Sequence, residues 1–159
     1  RARLGLGRLG GPNRKPIGSD DIAAAQAWLD ENADGLIDLG VVCHDADTFR
    51  EEVTASRAAG LKTVAPHANL AGVLDLLGPD FIFTHGPGTP AEFMQLLAAR
   101  GVKIGLCPST DPLIGAGLPP ILQFLNNGVQ FGDIGMSVDV TCQTSVDPFA
   151  AMQIGRAHV

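Results

Sequence analysis

The sequence predicts an α/β protein of parallel strands, about five strand–helix units of a (β/α)8 TIM-type barrel. Three observations lead there. Short apolar runs rich in β-formers recur near residues 36–42, 61–66, 81–84, 102–106 and 133–138. Between them lie stretches whose apolar residues return every three or four positions, the period of a helix with one buried face. No Gly-rich dinucleotide fingerprint follows any of the runs, which favours a barrel over a doubly wound sheet. Five units are too few to close eight strands and form an open arc.

The elements follow in order. Residues 1–18 hold five glycines, two prolines and five basic residues; they read as irregular, the remnant of an earlier βα unit. Ser19 with Asp20 and Asp21 opens a helix, since small polar and acidic residues satisfy its first N–H groups. Ile22, Ala25, Trp28 and Leu29 give that helix a buried stripe. The run 36–42 is apolar throughout apart from Asp38 and Gly40, as in a strand covered on both faces. Thr48 and Glu51 make a capping box for the next helix, which stops before Gly60. The strand over 61–66 leads to His67, and a short helix over 71–77 leads to Gly78-Pro79.

The strand Phe81-Ile82-Phe83-Thr84 then stops at His85, and a Gly/Pro turn follows. Thr89, Pro90 and Glu92 spell a capping box with proline at the first helical position. Gly101 suits the left-handed residue after that helix. After the strand ending at Leu106 comes a long loop with Pro108, Pro112, Gly115, Gly117 and Pro119-Pro120, read as functional or as a lid. A helix over 121–126 ends at Gly128, and a last strand within 131–138 leads to Asp139.

Composition narrows the function. At 159 residues with 45% hydrophobic and 18% charged residues, the chain suits one soluble domain. A net charge of −6 argues against a nucleic-acid partner, which needs clustered Lys and Arg. No apolar run approaches the roughly 20 residues of a membrane span, and no signal-peptide core precedes the first helix. Cys43, Cys107 and Cys142 stand far apart, outside any CxxC pattern, and read as reduced, buried thiols of a cytoplasmic protein. Both ends look unnatural. Arg1 replaces a start methionine, and residues 154–159 spell the translation of a common sequencing-library adapter, ATC GGA AGA GCA CAC GTC. The domain is accordingly drawn as 1–153, with 154–159 as a non-native tail, and the chain as part of a longer protein.

The chemistry-bearing residues sit where strands end. His67, His85 and Asp139 each follow an apolar run and precede a turn. In a parallel barrel such positions converge on one rim, and two imidazoles with a carboxylate can serve a divalent metal and its water. His44, beside Asp45 and Asp47, suits a solvated or capping role. Taken singly, a strand-end histidine or aspartate is more often a loop anchor or helix cap; it is the three together that point to a shared site.

His67, then Thr84-His85-Gly86 with Thr89-Pro90-Ala91-Glu92-Phe93, resembles the metal-dependent amidohydrolase superfamily, in its cytosine deaminase and chlorohydrolase-like branch. Gly101-Val102-Lys103-Ile104 with Cys107-Pro108-Ser109-Thr110 resembles that branch's strand-seven passage. Gly115-Ala116-Gly117-Leu118-Pro119-Pro120 resembles its following loop, and Gly135-Met136-Ser137-Val138-Asp139 its strand eight. The five units then correspond to strands 4–8. The resemblance implies His67 as a metal ligand, His85 as the histidine that polarises the attacked group, and Asp139 as both metal ligand and general base. It further implies Pro108, Ser109, Thr110 and Gly117 around a small-molecule substrate. The implied metal is zinc, with ferrous iron as the other candidate, and the implied reaction is hydrolysis of a C–N bond or related leaving group of a small, heterocyclic substrate by metal-bound hydroxide. A homo-oligomeric parent is compatible with it.

The chain departs from that pattern twice. The strand-one His-x-His pair has no counterpart, and the glutamate expected three residues after the strand-five histidine is Leu70, which cannot carry a proton. These departures keep a second function open, a catalytically inactive barrel that binds a small molecule or a protein. A phosphate-binding isomerase is disfavoured, because residues 137–145 contain no glycine.

Overall fold

The computed structural model describes residues 2–7, 15–43, 46–66, 70–137, 147, 149 and 153. The fold is α/β, strands alternating with helices as in part of a TIM-type barrel, and it divides into two compact units, residues 1–81 and 82–159. Among the described residues no helix is long and apolar enough to cross a membrane.

The first unit contains β1 (Ala2–Gly7), α1 (Ser19–Asn32), β2 (Ile37–Val42), α2 (Phe49–Ala58) and β3 (Lys62–Pro66), followed by a 3-10 segment (Leu70–Leu76). β1 pairs in parallel with β2, and β2 with β3. The strand β1 corrects the irregular reading over residues 2–7 and fits the remnant of an earlier βα unit; residues 8–14 lie outside the described residues. Its glycines signalled a loop, yet they serve a close approach. A Cβ on Gly5 would stand 2.6 Å from Cγ2 of Val42, and one on Gly7 3.2 Å from Cβ of Val42. In β2, Leu39 and Val41 are buried, as the unbroken apolar run required.

Helix α1 begins where expected, but Gly18 is its N-cap, and the Gly18 N–H donates to Asp21 Oδ2 at 3.0 Å. Ile22 and Leu29 are buried, whereas Trp28, expected in the stripe, is 56% exposed. The Thr48–Glu51 capping box does not form. Thr48 makes no side-chain cap bond, and the next residue along, Glu52, turns inward instead, accepting a hydrogen bond from the Ile17 N–H at 3.2 Å.

Arg57, near the end of α2, ties that helix to the turn before the next strand. Its Nε donates to Asp80 Oδ2 at 2.7 Å and its second nitrogen to Asp80 Oδ1 at 3.1 Å and to the Leu76 carbonyl. The guanidinium lies 5.5 Å from the ring centre of Phe81, which is buried and stacks on Phe49 at 6.0 Å. The Asp80 carbonyl in turn accepts from the Thr63 N–H at 2.9 Å. One fork thus spans helix, turn and strand.

The second unit begins in β4 (Phe81–Thr84) and continues with α3 (Ala91–Ala99), β5 (Lys103–Leu106), α4 (Thr110–Leu113), α5 (Ile121–Asn126) and β6 (Ile134–Met136). β4 pairs in parallel with β5, and β5 with β6. Phe83 is its hub. The ring is buried and meets Phe93 edge-on at 5.6 Å and Phe124 at 6.4 Å, joining α3 and α5 to β4. Helix α3 differs from expectation by one position. Pro90 is the N-cap and not the first helical residue, its carbonyl accepting from the Met94 N–H at 3.0 Å, and proline has no side-chain group with which to cap.

The guanidinium of Arg57 holds the Asp80 carboxyl below its ordinary value of 3.8, chiefly by direct hydrogen bonding. A depressed native value contributes stability above pH 3.8 that is lost as pH falls further. Asp80→Asn should therefore lower stability by about 1 kcal/mol near neutrality. Urea midpoints as a function of pH should show the two proteins converging below the ordinary carboxylate range.

Candidate active site

His85 is the first residue after β4, and β4 delivers it to the carboxyl end of the strand, where parallel folds collect their chemistry. The sequence stops being a strand here for a physical reason. His85 has φ of 69°, alone among the described non-glycine residues in having positive φ, and Gly86 follows at 135°. A left-handed L-residue costs about 1–2 kcal/mol, so the surroundings must hold it there. The backbone is pinned by the His85 N–H, which donates to the Gly105 carbonyl of β5 at 2.9 Å. Gly86 is required for close packing. A Cβ there would stand 2.8 Å from Phe124 Cε2 and 3.2 Å from Leu106 Cδ2.

The ring is pinned as well. His85 Nδ1 lies 2.7 Å from Oδ1 of Asp111, a carboxylate with 0% exposure. Asp111 is the second residue of α4, past the carboxyl end of β5, the strand beside β4. Its own backbone is fixed at both sides. The Asp111 N–H donates to the Cys107 carbonyl at 3.0 Å, and the Ala116 N–H donates to the Asp111 carbonyl at 2.9 Å. The other carboxylate oxygen, Oδ2, is buried with no hydrogen-bond partner among the described residues. The His85 side chain is 19% exposed, so one part of the ring reaches solvent while the carboxylate does not.

Cys107 brings a third donor. Its buried sulfur and the ligand atoms of His85 and Asp111 all lie within 4.8 Å of one another. Imidazole, thiol and carboxylate are zinc donors by type. Two donors on one tetrahedral zinc, each about 2.0–2.1 Å from the ion, would stand about 3.3 Å apart. The 2.7 Å between Nδ1 and Oδ1 is instead a short hydrogen bond. As arranged, these side chains are a histidine–aspartate pair with a thiol beside it.

Of the residues singled out from the sequence, His85 lies in this pair. His67 and Asp139 fall outside the described residues, as do His44, Cys142 and the 154–159 tail. Within the expected substrate loop, Pro108 and Thr110 are buried, Ser109 is partly exposed, and Gly117 is exposed with φ of 118°. That loop carries α4, which the sequence reading left as loop. Asp111 was missed. Placed between Thr110 and Pro112 it reads as a turn residue, and its partner is 26 positions away.

No family model matches the chain. A 5-methylthioadenosine/S-adenosylhomocysteine deaminase from Natronomonas pharaonis is 29% identical over 165 aligned positions, covering 83% of this chain and 37% of that protein. A zinc-bound adenosine deaminase from Xanthomonas campestris matches in structure with a TM-score of 0.74 at 18% identity, over 99% of this chain and 42% of the other. An atrazine chlorohydrolase from Arthrobacter aurescens, complexed with zinc, matches with a TM-score of 0.60 at 16% identity, over 79% of this chain and 33% of the other. The chain thus spans about two-fifths or less of the length of these relatives. In sequence and in fold it resembles the metal-dependent amidohydrolase superfamily.

Gly86→Ala should cost about 2–3 kcal/mol, since it meets both the strained φ and the Phe124 ring. Gly88→Ala, where a Cβ meets nothing, should lose only the left-handed penalty of about 1 kcal/mol. Urea midpoints of the two variants measured side by side test that difference.

Proposed function

We propose that this chain forms part of a metal-dependent hydrolase acting on a C–N bond, or a related leaving group, of a small heterocyclic substrate. The observation that carries the reading is His85, held in a left-handed conformation at the end of β4 with its ring fixed by a wholly buried carboxylate. Strain of that kind is kept where a side chain must point one way. The deaminase relative at 29% identity supports the C–N assignment, and the chlorohydrolase likeness of fold is compatible with other leaving groups.

In this reading His67 and Asp139 hold the metal, since imidazole and carboxylate oxygen are both ordinary zinc ligands. The ion, when bound, supplies Lewis acidity that brings the pKa of water from 15.7 toward about 7. Asp139 takes the proton that the attacking water loses, and His85 hydrogen-bonds the charge that develops on the substrate. Pro108, Ser109, Thr110 and Gly117 contribute to the substrate's surroundings. Placement in the cytoplasm and a homo-oligomeric assembly belong to the same proposal.

One specific observation favours a second reading. Leu70 stands where deaminases of this branch carry a proton-shuttling glutamate, and a leucine fits a barrel that binds without turning over.

The two readings separate on the full-length protein. Loaded with zinc and offered amino-substituted heterocycles, it should release ammonia. Asp139→Asn should then reduce kcat by about 10²–10⁴ while metal content falls less. Near-normal turnover in a metal-replete Asp139→Asn protein removes Asp139 from the mechanism, and a wild-type protein that binds these compounds without turnover favours the binding module.

A further inference from the structure

We propose that Asp111 is a positioning residue for His85, fixing the imidazole with its hydrogen on Nδ1 so that Nε2 is the nitrogen offered to the substrate; the role rests on the hydrolase reading above.

The argument starts from the cost of the aspartate. A carboxylate with no exposure loses its hydration and must recover it from protein partners. Asp111 recovers little, because Oδ1 meets His85 Nδ1 at 2.7 Å and Oδ2 has no hydrogen-bond partner among the described residues. Charge used for stability looks different in this protein. The partly exposed Asp80 receives a two-pronged guanidinium and the exposed Asp75 another, at sites where burial costs less. A lone buried carboxylate against one imidazole is a poor stabiliser and a good orienting device.

The chemistry of the contact then sets the ring. A carboxylate can only accept, so the hydrogen between the two groups belongs to the imidazole and sits on Nδ1. Nε2 is thereby left as the nitrogen with a lone pair. The contact also removes the two-fold ambiguity of the ring. With the backbone N–H bound to Gly105 and Nδ1 bound to Asp111, the imidazole is held at both ends. One anchor, Gly105, lies in β5 and the other, Asp111, in the short helix α4 that follows it. Cys107, whose backbone carbonyl caps the Asp111 N–H, sets where the carboxylate begins.

The test uses the full-length, zinc-loaded protein with ¹⁵N-labelled histidine. Long-range ¹H–¹⁵N correlation reads the tautomer of His85 directly, its signals assigned by their loss in His85→Gln. Wild type should carry its hydrogen on Nδ1. Asp111→Ala should shift His85 to the other tautomer or to a mixture, and Asp111→Asn, which keeps the volume should the alanine variant fail to fold, should disturb it too. In an active protein kcat should fall about 10- to 100-fold, as for loss of other orienting partners, with KM and zinc content changed less than threefold. A wild-type hydrogen on Nε2, a tautomer indifferent to both substitutions, or an altered tautomer with unchanged kcat each overturns the proposal. Failure of the hydrolase reading is separately visible, because a zinc-loaded wild type without turnover overturns it before any variant is compared.

Discussion

The contact on which the second unit's candidate chemistry depends is the hydrogen bond between His85 and Asp111. It joins the residue after β4 to helix α4 through side chains, beyond the last backbone bond of His85 to Gly105. That backbone bond holds the left-handed turn, and the hydrogen bond to Asp111 fixes the ring. The surrounding structure can be read as support for that bond. Gly86 lets the chain turn against Phe124, Phe83 locks α3 and α5 onto β4, and the backbone of Cys107 and Ala116 fixes the aspartate.

The two units solve similar problems by different means. In the first, a helix is tied down by a charged fork at a partly exposed position, where Arg57 engages Asp80, the Leu76 carbonyl and the face of Phe81. In the second, the corresponding work is done by aromatic edges, with no charge at the centre of the cluster. The contrast fits what each carries. A partly solvated ion pair tolerates motion and is weakened by salt, while a buried aromatic hub gives the rigid floor that a fixed imidazole needs.

Much of this was legible in the sequence, and the exceptions have physical causes. Strand β4 and helix α5 lie where the patterns put them, because a sharp polar stop and a Pro–Pro entry mark their ends locally. Gly60, Gly101 and Gly128 do adopt left-handed conformations at helix ends. Strand β1 was hidden because glycine carries two meanings. In a single chain, a residue that loosens a loop cannot be told from one that makes room for Val42. The capping boxes failed because spacing does not fix which residue turns inward, and Glu52 rather than Glu51 found the buried partner. Asp111 was out of reach for another reason. Its significance comes from burial and from a partner 26 residues distant, and neither property has a local signature.

Within each unit every strand hydrogen-bonds to the strand that precedes or follows it in the chain. That ordering matters on the ribosome. A strand emerging from the exit tunnel finds the edge it needs already made by residues synthesised shortly before, each closure spanning one α-helix except that from β5 to β6, which spans α4 and α5. Short closures are the fast ones. The histidine is then placed before its carboxylate exists, and α4 must arrive with Asp111 before the imidazole is held. The site is completed by the later-made residue, and until α4 has formed the turn lacks the partner that gives it a fixed ring.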